Sequence, residues 1–203
     1  MGSGITRERT RWRVRREVVW SAWDGAGAEH LLLAVGQDGS VADGLVVGVA
    51  GGRRPFRIRY EVRCDASWSA RAVRVSAPGL DPVTPVVDLL ADGEGNWTTR
   101  SGESVPGLEG CVDVDISATP FTNTLPIRRL GLAPGESADV PVAYVDIDEM
   151  RAWTEEQRYT RLEQNSGDRL YKYESLDGGF TANLPVDADG LVLDYPGLFR
   201  RVF

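Results

Sequence analysis

Phe56-Arg57-Ile58-Arg59-Tyr60-Glu61-Val62 decides the fold class. Phe56, Ile58, Tyr60 and Val62 share one face and Arg57, Arg59 and Glu61 the other, which is the period of a strand with a dry side and a wet side. Working outward, similar short runs occur over 31–35, 45–49, 72–75, 140–145, 170–173, 180–184 and 191–195. Near the N-terminus Trp12, Val14, Val18 and Trp20 alternate with Arg11, Arg13, Arg15 and Glu17, so the arginines there are expected on the solvated face of a strand. Turn-forming pairs separate the runs, among them Asp38-Gly39, Asp43-Gly44, Pro78-Gly79, Asp92-Gly93, Pro134-Gly135, Asp189-Gly190 and Pro196-Gly197. Many short strands at close spacing read as a large antiparallel sheet, sandwich or barrel, and no βαβ rhythm is visible.

The chain has 203 residues, 42% of them hydrophobic and 26% charged, which fits one domain with a substantial core. Its net charge of −7 disfavours nucleic acid, whose phosphates demand a basic face. No apolar run is long enough for a membrane helix. Nor does the N-terminus show the apolar stretch of a secretory signal, so the expected address is cytoplasmic. The expected organisation is a flexible Arg-containing leader over residues 1–10 and a single domain over 11–203. Cys64 and Cys111 are expected as reduced thiols, with a disulfide left open.

Two segments have helical features. Asp146 to Gln164 lacks Gly and Pro and carries an Asp146…Glu149 capping pair, although its apolar spacing is poor. Thr119 to Leu130 has a Thr N-cap followed by Pro120, with Pro126 breaking the regularity.

Familiar catalytic and metal patterns are missing. The lone His30 precedes an apolar run and lies in no nucleophile motif, so it reads as a strand-end residue. Two distant Cys and one His form no zinc cluster, and no phosphate-binding glycine loop occurs. Asp92, Glu94, Asn96 and Glu103 have the spacing of calcium-loop ligands, but Trp97 stands where the sharp turn wants Gly, so an acidic hairpin is expected. No metal and no cofactor are expected.

The segment from Gly110 to Leu130 carries the chemistry. Asp113 and Asp115 alternate with Val112, Val114 and Ile116, so both carboxylates share a strand face, and a hydroxyl-rich stretch then ends in Arg128 and Arg129. If that stretch folds back, the Asp pair and the Arg pair meet through guanidinium–carboxylate forks. Two readings stay open: a buried polar network, or a headgroup site in which an arginine holds an anion and an aspartate accepts sugar hydroxyls.

This run, Cys111-x-Asp113-Val-Asp115 followed by Thr119-Pro-Phe-Thr-Asn-Thr-Leu-Pro-Ile-Arg-Arg-Leu130, resembles the signature of the bacterial Putative glycolipid-binding family. Tyr60 to Asp65 with Trp68 and Arg71, Gly95-Asn-Trp97, Gln157-Arg-Tyr159 and Gly190 to Gly197 agree in order, so the likeness spans residues 17 to 202. The resemblance implies a mainly β, single-domain spiral β-roll: a long curved antiparallel sheet wrapped around one α-helix, often dimeric. It further implies Asp113, Asp115, Thr122, Asn123, Arg128, Arg129, Trp68, Arg71, Gln157 and Tyr159 as candidate ligand-binding residues. Trp20, Trp68, Trp97 and Tyr159 could line a polar mouth.

The leading expectation is therefore non-enzymatic binding of a lipid or glycolipid inside the roll or at its mouth. The alternatives are a dimeric scaffold without a small ligand, and a hydrolase using Asp113 or Asp115 with Arg128.

Overall fold

The computed structural model describes residues 12–50, 54–79, 86–163 and 169–203; the expected leader over residues 1–10 lies outside them. The described chain is mainly β. Its strands are β1 (Val14–Ala22), β2 (Ala28–Val35), β3 (Gly39–Ala50), β4 (Arg54–Asp65), β5 (Ala70–Ser76), β6 (Val86–Ala91), β7 (Trp97–Thr99), β8 (Asp113–Ile116), β9 (Ser137–Asp146), β10 (Arg151–Leu162), β11 (Arg169–Ser175), β12 (Thr181–Val186), β13 (Asp194–Tyr195) and β14 (Phe199–Arg201). A 3₁₀ turn, Phe121–Asn123, runs directly into the one α-helix among the described residues, α1 (Thr124–Leu130).

Nine strands form one sheet in the order β13-β14-β1-β2-β3-β4-β5-β6-β7, and five form a second in the order β12-β11-β10-β9-β8. An antiparallel bridge between Val186 and Val192 joins β12 to the segment entering β13, so the ribbon continues from one sheet to the other. The Ala70 amide donates to the Val112 carbonyl (3.0 Å), bringing the start of β5 to the β8 end of the ribbon. The result is the expected β-roll, curled around the 3₁₀ turn and α1.

Among the described residues every ladder is antiparallel except one. β8 pairs parallel with β9, Asp113 opposite Val142 and Ile116 opposite Val145. Parallel neighbours need a long crossover, and here the 3₁₀ turn and α1 supply it, which makes β8, α1 and β9 a βαβ unit. Gly131, at φ 57°, ends the helix in the left-handed conformation that glycine adopts without strain.

Of the two helical candidates, Thr119–Leu130 contains the helix. In the other, Asp146 to Gln164, the described residues 146–163 instead form the turn after β9 and then β10, paired along Arg151–Thr160 with β9. Helix propensity loses there because Gln157 and Tyr159 alternate with exposed or half-buried neighbours, and strand pairing buries both.

Phe56–Val62 lies in β4 as expected, with Ile58, Tyr60 and Val62 buried. In β1, Val18 and Trp20 are fully buried, whereas Val14 is exposed. Side chains fill the interior: Trp20, Trp97, Tyr60, Tyr159, Tyr171 and Phe121 are the largest that are completely enclosed. Trp20 and Trp97 each donate their indole N–H to a carbonyl, of Val192 (2.8 Å) and Cys111 (2.7 Å), which satisfies their buried donors. Where the two sheets meet, Asp187 accepts from Arg16 Nη2 (3.3 Å) and Arg201 Nη1 (2.6 Å), and Asp189 accepts from Arg16 Nη1 (2.6 Å). Among the described residues, no helix is long and apolar enough to cross a membrane.

Candidate functional site

The Gly110–Leu130 segment does fold back on its strand, but the four charges separate into different environments. Asp113 is fully buried and accepts a fork from Arg129, with Nε 3.1 Å from both carboxylate oxygens and Nη2 2.6 Å from Oδ2. Burial raises the Asp113 carboxyl above its ordinary range, and the Arg129 hydrogen bonds pull it back only in part. Among the described residues Asp115 meets no arginine. Its Oδ1 accepts from Thr122 Oγ1 (2.6 Å) and its Oδ2 from Gln157 Nε2 (2.7 Å). Desolvation raises this carboxyl too, against those two hydrogen bonds.

Arg128 leaves the strand entirely. It donates to the Asp189 carbonyl (2.7 Å) and lies 4.3 Å over the Trp68 ring, a cation–π contact that ties α1 to the β4–β5 turn. Trp68 takes the left-handed conformation, φ 68°, which presents its ring there. Arg71 sits apart, 3.7 Å from Asp65. Asn123 is buried and accepts from Tyr159 Oη (2.9 Å), while Tyr159 also donates toward Gln157 Oε1 (3.2 Å).

The ten candidates thus divide into three groups. Asp115, Thr122, Asn123, Gln157 and Tyr159 form one connected network. Asp113 and Arg129 form a closed ion pair. Arg128 with Trp68, and Arg71, lie elsewhere.

The connected network backs a cleft of about 350 Å³ at the mouth of the roll. Asp115 and Asn123 reach its wall, joined by Thr119, Tyr144, Glu155, Tyr173, Phe180, Tyr195 and Phe199. The strands explain the gathering. Gln157 lies opposite Ser175, Tyr159 opposite Tyr173 and Asp115 opposite Tyr144, so β8 to β11 present these residues on one concave face. From the other side, Tyr195 packs edge-on against Tyr173 (6.2 Å) and Phe199 (6.5 Å), and Phe180 closes on both tyrosines. Burial raises the Glu155 carboxyl, Asp115 adds repulsion, and the Trp153 indole N–H (3.1 Å) opposes them. Tyr144 is pushed up to about 12 by burial and by the nearby carboxylates. Among the described lining residues there is no lysine or arginine.

Thr119 connects the cleft to a buried carboxylate that sequence reading did not single out. Its Oγ1 donates to Glu29 Oε1 (2.7 Å), which also accepts from Tyr60 Oη. Burial lifts Glu29 from 4.5 to about 7, against those two hydrogen bonds. Its second oxygen, Oε2, has no hydrogen-bond partner among the described residues.

Neither Cys64 nor Cys111 is in a disulfide, and both are buried; burial pushes the Cys64 thiol up to about 12. The acidic hairpin closes on itself, Asp92 accepting from the Glu94 and Asn96 amides at 2.7 and 3.1 Å. His30 Nε2 lies 2.7 Å from Glu17 Oε1 on the surface. Among the described residues, no three metal-ligating side chains cluster.

Cleft residues Tyr144, Glu155, Tyr173, Phe180, Tyr195 and Phe199 were not among the candidates. Glu155 lies one strand period before Gln157, and Tyr173 ends a run already read as a strand. That parity was the available signal, but strand pairing had to be known before it could be used.

Fold and cleft define the class: a β-roll wound around one short helix, with an acidic, aromatic-walled recess at its mouth. Residues 17–201 match the Putative glycolipid-binding family, and the chain belongs to it. The crystal structure of a DUF1089 family protein from Pseudomonas aeruginosa is similar over its whole length, with 35% identity, a TM-score of 0.76, and coverage of 100% of this chain and 98% of that one. Comparison with curated proteins gave no match.

Proposed function

We propose that the protein binds a glycolipid non-covalently, holding an uncharged sugar headgroup in the cleft at the mouth of the roll. One observation carries this reading: Asp115 and Glu155 share the cleft with Tyr144, Tyr173, Tyr195, Phe180 and Phe199, and its described lining has no cation. Carboxylate and amide oxygens accept sugar hydroxyls, aromatic rings cover the apolar face of a pyranose, and a phosphate would meet only negative charge. The name of the family points the same way. The filled interior favours the mouth over the inside of the roll.

Native mass spectrometry of the purified protein with a neutral glycosyl diacylglycerol and, separately, phosphatidylglycerol tests this. The neutral glycolipid should give a stoichiometric adduct that Asp115→Asn and Tyr173→Ala weaken at least tenfold. Equal retention of both lipids, or retention of the anionic one alone, would refute the headgroup assignment.

A second reading is hydrolytic. Asp113 is closed off by Arg129, but Asp115 and Glu155 face one cleft, and burial raises both carboxyls, which suits either of them to the role of general acid. Release of nitrophenol from nitrophenyl glycosides, abolished by Glu155→Gln in a folded variant, would favour it over simple binding.

A further inference from the structure

The sugar cleft does not end at its own walls. Ser117, Leu198 and Phe199 also line an adjoining groove of about 480 Å³ that passes Ala22, Trp23 and Phe56. That groove shares Val47, Phe56, Ile147 and Asp148 with a third recess of about 520 Å³ running to Ala77 and Pro78. The three form one path along the mouth of the roll.

Along the path Trp23 and Leu198 are 44% and 42% exposed, Phe56 and Ile147 lie partly buried beside them, and Arg200 stacks 4.4 Å over the Trp23 ring. Several polar groups along the path are already engaged, while Arg54 and Asp148 also line it. Asp24 accepts from the Ala26 amide (2.9 Å), Asp146 from the Asp148 and Glu149 amides (2.8 and 2.7 Å), and Arg57 Nε donates to the Pro78 carbonyl (2.9 Å). These contacts hold the turns between which Leu198, Phe199, Phe56 and Ile147 line the path.

We propose that this groove holds the hydrocarbon tail of the amphiphile, one acyl or alkyl chain that leaves the cleft between Leu198 and Phe199 and lies over Trp23, Phe56 and Ile147. The assignment rests on the headgroup reading, because continuity with the sugar cleft is what selects a lipid tail over another apolar occupant. It differs from an enclosed carrier: the chain lies in an open groove at the rim, with one side toward solvent or a membrane surface.

The experiment is calorimetric titration with alkyl β-glucosides and β-galactosides of six, eight and ten carbons, below their micellar concentrations, beside the free sugars. Affinity should rise roughly two- to fourfold per methylene, the range between half and full burial of each group. Trp23→Ser and Ile147→Ser, two separate changes in the groove and outside the cleft, should flatten that rise while leaving free-sugar binding unchanged. If chain length has no effect while the sugars bind, the groove assignment falls and the headgroup reading stands. If the rise persists undiminished in both variants, the tail lies elsewhere and the assignment is wrong. If neither sugars nor glycosides bind, the headgroup reading fails and takes this one with it.

Discussion

Glu29→Gln tests the electrostatics of the core directly. In the folded protein Glu29 is 1% exposed, and burial raises its carboxyl from 4.5 to about 7. The unfolded chain therefore ionises this group from pH 4.5 upward, while the folded chain keeps its proton until near neutrality. A carboxyl with a raised folded value contributes most below its unfolded value, and that contribution declines as pH rises to the folded one. Each pH unit between the two is worth about 1.4 kcal/mol, so the wild type should lose about 2 to 3 kcal/mol between pH 5 and pH 8 through this group. Glutamine keeps an oxygen to accept from Tyr60 and Thr119, and puts an amide where Oε2 has no partner. That unpaired donor costs about 1 to 3 kcal/mol at every pH, without titrating. Urea unfolding at pH 5, 6, 7 and 8, followed by tryptophan fluorescence, should show a steep decline for the wild type and a shallower one for the variant. Asp113 and Asp115 contribute equally to both proteins, so the difference between the slopes isolates Glu29. Parallel slopes would show that Glu29 ionises as an exposed carboxylate does, and the account of the buried cluster would be wrong.

Three further outcomes follow from particular contacts. Arg129→Met leaves the buried Asp113 carboxylate without its partner and should cost about 3 to 5 kcal/mol in urea unfolding, much of it recovered in the Arg129→Met, Asp113→Asn double variant; absence of recovery would mean that Arg129 acts by packing alone. In Gly44→Ala the new Cβ would overlap the Tyr60 ring, which is fully buried, so a loss of about 1 to 3 kcal/mol is expected, and an unchanged melting temperature would contradict that close approach. Trp20→Phe removes the 2.8 Å hydrogen bond to the Val192 carbonyl where the two sheets meet, so hydrogen exchange should quicken around Val192 and Leu193 while the β9–β10 ladder keeps its protection.

Some of this molecule is legible one residue at a time. The period of Phe56–Val62 made β4 visible, because solvent on one side and core on the other impose alternation locally. The run from Thr119 to Leu130 marked the helical crossover, but not its start: Thr119 accepts from the Phe121 amide (3.0 Å) ahead of the 3₁₀ turn, and α1 begins at Thr124 behind Asn123 with no side-chain cap. Asp146–Gln164 misled because its helix-favouring composition yields to a partner, β9, that only the folded chain provides.

The sequence placed two aspartates on one strand face and two arginines at one helix end, but the tertiary structure decided whom each would meet. Consecutive helical residues diverge by about 100°, so Arg128 and Arg129 cannot both face the strand; one reaches Asp113 and the other stacks on Trp68. Asp115, one strand period further on, lies opposite Tyr144 on β9 and is held by Thr122 and Gln157. Glu155, Tyr173 and Tyr195 reach the same cleft from three more strands, and Glu29 meets Thr119 across 90 residues of chain. Local alternation fixes which side of a strand is dry. Which dry residues become a wall, and where that wall stays open, is set by the pairing and curl of the whole sheet.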